Sequence, residues 1–458
     1  MSTKIGALTR CIAIDALTHI LTRRLHSDLA LERLFQAHAE LRTLDKSFIF
    51  EIVMGSLRWM YKMDWILSHM VERPLSSLDP RVLNALRVGM YQIYYMDKVP
   101  ERAAVSESVE AIKQVGVPHA ASLVNAILRR VAKKSEYFAK PDKNNNLLDY
   151  YSMHYSHPKW MIERWSSFLS QEKLEHLLSH NNKQPKQTLR VIQRNSLPDE
   201  SDNLATYLLK TQSIKSNFKP LKGVLNIENL PKFHECEAFK KGCYIVQDEG
   251  AQLCISLLKP KKGEKVLDAC AAPGGKSIYL WDEGVEPADL TVCDSSVRRL
   301  KKVYENFTRV GLENVNVVHG DVSLKFNDVL FDKIVIDAPC SALGVIRRHP
   351  EIKWQRTLED IESCAKNQKK LLDSLAKSVK VGGELLYIVC SFEKEETVEQ
   401  RANFLATHKE FEMISLMDRV HDFYKKYIVH SQELIIYAGN QDDLDGFYAV
   451  VFRKTKSS

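Results

Sequence analysis

The stretch VLDACAAPGGKS, residues 266–277, decides how this chain is read. It opens on a short apolar run, passes through small residues and two adjacent glycines, and continues into IYLWDE with helical spacing. Strand, glycine turn and helix in that order form the unit from which parallel α/β sheets are built. The scheme recurs downstream. LTVCDSS leads into VRRLKKVYENFTRVG, VNVVHGD follows, FDKIVIDAPC precedes DIESCAKNQKKLLDSLAKSVK, and GGELLYIVCS precedes EKEETVEQRANFLATH. The alternation predicts a parallel sheet covered on both faces from residue 244 onward, with DGFYAVVFRK as a last strand reached by a hairpin-like connection. Ligands of such sheets gather beyond the C-terminal strand ends, so the residues just after each strand are the ones to read for chemistry.

Upstream the texture differs. Residues 1–138 carry no strand pattern, and apolar residues recur at helical spacing, as in Ile12, Leu17, Ile20 and Leu21 or Phe48, Ile52, Val53 and Leu57. Asp79 is placed as an N-cap, with Pro80 at the first helical position. This half reads as an all-α domain of about five to seven helices. Residues 139–151, AKPDKNNNLLDYY, read as a linker, and 152–243 as a small α+β subdomain. The expected fold class is therefore an all-α N-terminal domain plus a Rossmann-like α/β domain over 244–458, with the α+β subdomain between them. Up to Lys140 the chain has 20 basic and 14 acidic residues, and Arg129, Arg130, Lys133 and Lys134 cluster at one helix end. Such a cluster suits a solvated helix terminus or a phosphate-binding face.

Composition narrows the class. At 458 residues, 45% hydrophobic and 27% charged, the chain has the make-up of a globular protein of two or three domains. A net charge of +7 permits a nucleic-acid partner without requiring one. Nine cysteines, an odd number with no CxxC pair, point to reduced thiols in a cytoplasmic compartment, not to a disulfide framework or a metal site. Asp15 interrupts the apolar N-terminal stretch, so no signal peptide is expected, and no apolar run reads as a membrane span.

At the first strand end a P-loop would need a glycine five positions before Gly275, where Cys270 stands, and GxGxxG is replaced by CAAPGG. What remains is a loop for a nucleoside cofactor of the S-adenosylmethionine kind, or a turn with no ligand. Asp294 ends the second strand where an acid can accept from ribose hydroxyls. Asp321 ends the third, placed to receive an adenine amino group. Either alone reads as a turn or helix cap. The fourth strand delivers Asp337-Ala-Pro-Cys340 and the fifth Cys390, each cysteine followed by serine. Cys254, Cys293 and Cys364 lie inside apolar patterns and read as packing. A thiolate beside a methyl donor suits carbon-5 of a pyrimidine. Attack at carbon-6 and proton donation at the ring nitrogen, for which Asp337 is the candidate, make carbon-5 nucleophilic. Lys276, Arg347 or Arg348 would favour the thiolate. Spacing does not say which cysteine attacks.

DACAAPGGK, DAPCSALGVIRRHPEIKW, GGELLYIVCS and DGFY together resemble the RNA cytosine carbon-5 methyltransferases, and VQDEGAQL at 246–253 matches their leading motif. AAVSESVEAIKQVG and LVNAILRRV resemble the RNA-binding domain of the antitermination factor NusB. The combination is similar to the bacterial ribosomal RNA small-subunit methyltransferase B family (Sun/Fmu). That resemblance implies Cys390 as nucleophile and Cys340 as the cysteine that helps resolve the adduct. It implies an S-adenosyl-L-methionine site lined by Cys270, Ala271, Ala272, Pro273, Gly274, Gly275, Lys276, Asp294, Asp321 and Asp337. It further implies 16S ribosomal RNA as partner, unassembled or early in assembly; a monomer is expected because no dimer signature stands out in the sequence. The family's usual threonine before the catalytic cysteine is Val389 here. Arg347 and Arg348 are expected to hold phosphates, and His349 or Trp354 to stack near an extruded base. Rivals are a transfer-RNA cytosine methyltransferase and a non-catalytic RNA-binding assembly factor.

Overall fold

The computed structural model describes residues 2–133, 141–228, 235–326 and 329–456. The chain divides into two compact units, residues 1–184 with 346–356, and residues 185–345 with 357–458.

The first unit is helical: α1 (Ser2–Arg23), α2 (Ser27–Ala37), α3 (Thr43–Arg58), α4 (Met60–Ser68), α5 (Pro80–Tyr95), α6 (Glu101–Gln114), α7 (Ala121–Lys133), α8 (Leu147–Tyr155), α9 (Lys159–Ser166) and α10 (Gln171–His180). The side chain of Asp79 accepts from Arg81 N at 2.8 Å and Pro80 opens α5, as the sequence predicts. α1 packs against α3, α5 and α6, with Ile14, Leu17 and Ile20 fully buried. Gly55 lets α3 approach α5, since a Cβ there would sit 1.8 Å from the Tyr91 ring. Residues Ile5–Arg23 of α1 are long and apolar enough to cross a bilayer, contrary to the sequence reading, but half of that window is buried inside the unit. A core helix passes the same test of length and composition. The stretch read as a linker is partly helix, because α8 begins at Leu147. Helices α8 to α10 group with the first unit and not with the α+β subdomain. Lys134 lies outside the described residues.

Residues 346–356 thread into this helical unit, which takes Arg347 and Trp354 out of the expected phosphate- and base-contacting row, while Arg348 and His349 stay partly exposed. Arg347 is 2% exposed, and its carbonyl accepts from Arg58 Nη2 at 3.2 Å. Lys353 is buried, and its Nζ donates to the carbonyls of Arg58 (2.8 Å) and Ser156 (2.9 Å) and to Asn182 Oδ1 (3.0 Å). Trp354 Nε1 donates to Leu57 O at 2.7 Å, so the indole belongs to the helical core and is not set out for a base. Glu351 accepts from Ser27 N and Oγ at 3.1 and 3.0 Å. Local pattern reads RRHPEIKW as a solvated loop, but its backbone groups and long side chains are needed inside.

The second unit opens with a four-stranded antiparallel sheet of β1 (Gln187–Val191), β2 (Ser216–Phe218), β3 (Val224–Ile227) and β4 (Tyr244–Val246), in the order β2-β3-β1-β4. β4 lies wholly beyond the boundary expected at residue 243, so the small sheet draws on the stretch assigned to the α/β domain. The helix Leu204–Gln212 covers this sheet through Leu204, Tyr207 and Leu208. The larger sheet holds β5 (Val266–Asp268), β6 (Leu290–Asp294), β7 (Asn316–His319), β8 (Phe331–Asp337), β9 (Val379–Val389), β10 (Phe411–Met413), β11 (Ile428–Val429), β12 (Glu433–Ile436) and β13 (Phe447–Lys454). Its order is β11-β12-β13-β9-β8-β5-β6-β7, with β10 on β13. β5 to β9 are parallel, while β13 lies antiparallel between β9 and β12, so the sheet is mixed. After β7 the chain returns to the other side of β5, and the crevice at that reversal lies between the ends of β5 and β8.

Buried polar groups lock the small sheet to the large one. Arg190, fully buried, donates to Asp282 at 2.8 Å and Glu283 at 2.7 Å, with its guanidinium 4.2 Å from the Tyr279 ring centre. Arg309 donates to the carbonyls of Phe239 and Tyr244. The first of these clamps steadies the helix Gly275–Asp282, which carries the glycine loop at its start.

Candidate active site

β5 ends at Asp268, and the turn it feeds is shaped by Gly274, whose φ of +102° is a left-handed conformation in which a side chain would be strained. A Cβ there would also lie 3.0 Å from the Phe307 ring. Gly275 then opens the helix, with the Gln247 amide packed 3.3 Å from where its Cβ would be. The loop from Cys270 to Lys276 thus presents the backbone of a helix start at the sheet's switch point. Ala271 and Ala272 are nearly buried, and burial pushes the Cys270 thiol well up.

Three strand-end aspartates surround this loop with different duties. Asp294 is buried. It accepts from Ala272 N at 3.2 Å and Ser296 N at 3.0 Å, while Arg299 donates to Ala272 O at 2.7 Å. It therefore fixes the loop as well as facing it. Asp321 is exposed. It accepts from Ser323 N (3.0 Å) and Ser323 Oγ (2.7 Å) and pairs with Lys370 at 3.0 Å, and these contacts hold its carboxyl below the usual range. Asp337 pairs with the Lys276 ammonium. Burial pulls Lys276 down, but the Asp337 carboxylate outweighs it and raises the group above its usual value.

A fourth aspartate, Asp268, is not among the residues singled out from sequence, although it stands in the opening stretch. It is fully buried, and Oδ2 accepts from Ser277 Oγ at 2.6 Å. Among the described residues Oδ1 has no hydrogen-bond partner. Burial pushes the carboxyl up to about 6. A buried acceptor left open beside a glycine loop fits a ligand that brings a cationic or N–H donor, as the amino-acid part of S-adenosylmethionine does.

Beyond β8 and β9 the two cysteines meet. Cys340 Sγ lies 3.3 Å from Cys390 Sγ, and both are half-buried. The contact with Cys390, followed by burial, drives the Cys340 thiol far up. Burial likewise raises the Cys254 thiol, and Lys276, Asp337 and Cys390 are among the groups whose charges act on it. The loops carrying the cysteines are tied together. Gly344 N donates to Cys390 O at 3.0 Å, and Ser341 and Ser391 both donate to the buried Glu396. Val389, where a threonine is usual, is fully buried in β9. Sequence reasoning missed Glu396 because it sits in the charge run EKEETVEQ, which reads as a solvated helix start.

This sheet order, with a glycine loop at the switch point and paired thiols on neighbouring strands, defines a Rossmann-like methyltransferase. A family model described as 16S rRNA methyltransferase RsmB/F matches residues 255–453, the NusB family model matches 7–133, and the ferredoxin-like domain of RsmF/B-like methyltransferases matches 157–210. Ribosomal RNA small subunit methyltransferase B of Vibrio vulnificus is 32% identical over 92% of this chain and 93% of its own. The probable ribosomal RNA small subunit methyltransferase B of Bacillus subtilis is 31% identical over 97% of this chain and 98% of its own. The chain belongs to the ribosomal RNA small subunit methyltransferase B family, whose members are S-adenosylmethionine-dependent rRNA methyltransferases. Among solved structures, PH0851 superposes with a TM-score of 0.81 at 23% identity, covering 97% of this chain and 99% of that one. NSun6 from Pyrococcus horikoshii, solved with SFG, gives a TM-score of 0.56 at 22% identity over 66% of this chain and 99% of that one.

Proposed function

We propose that this methyltransferase modifies carbon-5 of a specific cytosine in 16S ribosomal RNA through a covalent adduct to Cys390. The observation that carries this reading is the 3.3 Å approach of the two sulfurs at the rim where Asp337 ends β8. Cys390 attacks carbon-6 of the extruded base, and its thiol proton passes by way of the Asp337 carboxylate, which the Lys276 ammonium orients, to the ring nitrogen. Carbon-5 is then enamine-like. Bound S-adenosylmethionine, held by Cys270 to Lys276 with Asp268, Asp294 and Asp321, supplies the methyl group. A solvent base takes the carbon-5 proton, that electron pair closes the C5–C6 double bond, and the C6–S bond breaks to release Cys390 as thiolate. Cys340 beside it gives a proton to that sulfur, and the ring-nitrogen proton returns through Asp337 to reprotonate Cys340. The substrate RNA is free or early in assembly, and the enzyme acts as a cytoplasmic monomer.

The test uses unmethylated small-subunit RNA and labelled S-adenosylmethionine, with wild type, Cys390→Ala and Cys340→Ala compared on a denaturing gel. Cys390→Ala is expected to lose both transfer and adduct, and Cys340→Ala to trap adduct. The reverse pattern would exchange the two roles. Transfer to transfer RNA but not to this RNA would keep the chemistry and overturn the substrate.

A further inference from the structure

Four donors converge on one carboxylate to which the reaction above assigns no role. Glu396 is 0% exposed and lies in the short turn that follows the Cys390 loop. Its Oε1 accepts from Ser341 N at 2.8 Å and Gln368 Nε2 at 3.1 Å, and its Oε2 accepts from Ser341 Oγ at 2.5 Å and Ser391 Oγ at 2.6 Å. The two hydroxyls are 3.2 Å apart. Each serine directly follows one of the paired cysteines. Gln368 also donates to the carbonyl of Pro339, the residue before Cys340, at 3.0 Å. From the far side, Tyr387 Oη donates to Glu396 O at 2.8 Å, fixing the backbone that carries the carboxylate.

Two loops from different strands have no covalent reason to keep a common register at their tips. A carboxylate accepts at both oxygens, so one such group can receive donors from two segments at once. We propose that Glu396 is the positioning residue of the cysteine pair: it sets the Cys340 and Cys390 loops in register and so holds the two sulfurs in contact. It touches neither cofactor nor base and acts through the serines. This inference rests on the covalent reading above for its effect on turnover, but not for its effect on sulfur geometry. Misplacing reacting atoms by about 1 Å costs on the order of a hundredfold in rate.

The experiment reads the two effects separately. Diamide oxidises a thiol pair to a disulfide, taking up both protons and both electrons, and its rate reports how well the sulfurs are aligned. Peptide mass mapping identifies the Cys340–Cys390 link among nine cysteines. Glu396→Ala is expected to slow that link and to lower kcat about a hundredfold, with affinity for S-adenosylmethionine within about twofold. Glu396→Gln should recover most of both losses, because its amide can accept at one end and donate to the hydroxyls at the other. If Glu396→Ala fails to fold, the Ser341→Ala/Ser391→Ala pair removes the hydroxyl arm alone and should still slow the link. Wild-type linking in the folded variants would overturn the proposal. Where Cys390→Ala is inactive, slow linking with full methyl transfer would do so as well, as would cofactor affinity falling in step with kcat. If Cys390→Ala stays active while Glu396→Ala links slowly, the covalent reading fails and the positioning role stands.

Discussion

Lys353 in the helical unit and Glu396 in the catalytic unit are both buried, and both direct their hydrogen bonds to neutral groups. Lys353 donates to two main-chain carbonyls and an asparagine oxygen; Glu396 accepts from a main-chain N–H, an amide and two hydroxyls. A buried ion pair would neutralise the charge but constrain only two side chains. Surrounding it with dipoles recruits three or four chain segments instead, and the cost of stripping water from the charge is met only while all of them stay in place. At Lys353 the segments joined are parts of a core. At Glu396 they are the supports of two reactive sulfurs. Asp268 makes the contrast sharper, because it is equally buried yet keeps one oxygen without a protein partner. The two satisfied charges tie chain segments together, and Asp268 leaves one buried acceptor oxygen open beside the glycine loop.

The comparison is broken most forcefully at Lys353. Lys353→Met leaves three buried acceptors without their donor and should lower stability by about 3 kcal/mol, read as a fall in the urea midpoint of the helical unit. An unchanged midpoint would mean that the cage of oxygens does not hold the strap. The next effect concerns Asp268. A carboxyl raised to about 6 in the folded chain binds its proton more tightly than in the unfolded chain. Its contribution to stability is therefore fully present below the ordinary aspartate value of about 4 and is lost as pH rises to about 6. A cationic ligand needs the ionised form, so calorimetric affinity for S-adenosylmethionine should rise about tenfold from about pH 5 to about pH 7 and flatten in Asp268→Asn. A pH-independent affinity in wild type would remove Asp268 from the site. Replacing charge but not shape, Glu396→Gln should cost only about 1 kcal/mol, since the neutral amide makes weaker bonds in the same places. The smallest change is expected for Trp354→Phe, which loses one neutral bond to Leu57 O and about 0.5 kcal/mol. The salt dependence of RNA binding should not move, whereas a shallower slope would return this segment to the RNA-binding surface.

Much of this arrangement is legible in the chain. The glycine loop, Asp294, Asp321, Asp337 and both cysteines announce themselves as small or polar residues directly after apolar runs, and the Asp79–Pro80 start of α5 follows from capping chemistry alone. What escapes is whatever depends on a choice among like residues. Glu393, Glu395, Glu396 and Glu399 stand close together, and no local rule says that Glu396 turns inward to two serines. Asp268 reads as the last residue of a strand, and only burial reveals its open oxygen. Arg347 reads as a phosphate contact and Lys353 draws no reading at all, because burial of a charge is decided by acceptors far away in sequence, such as Ser156 O and Asn182 Oδ1 for Lys353. The strands β10 to β12 are short and carry too little alternation to be read.

The strap at Ile346–Arg356 also bears on how this molecule can be divided. The polypeptide leaves the catalytic unit six residues after Cys340 and rejoins it at Thr357, having contributed a piece to the core of the other unit. A catalytic fragment cut after residue 184 would carry Ile346, Ile352 and Trp354 with their cover stripped away, while the N-terminal fragment would fold, if at all, around a gap. Transplanting either half into another enzyme therefore means moving an inserted segment with it. In this protein the unit of inheritance along the gene and the unit of folding in space do not share a boundary.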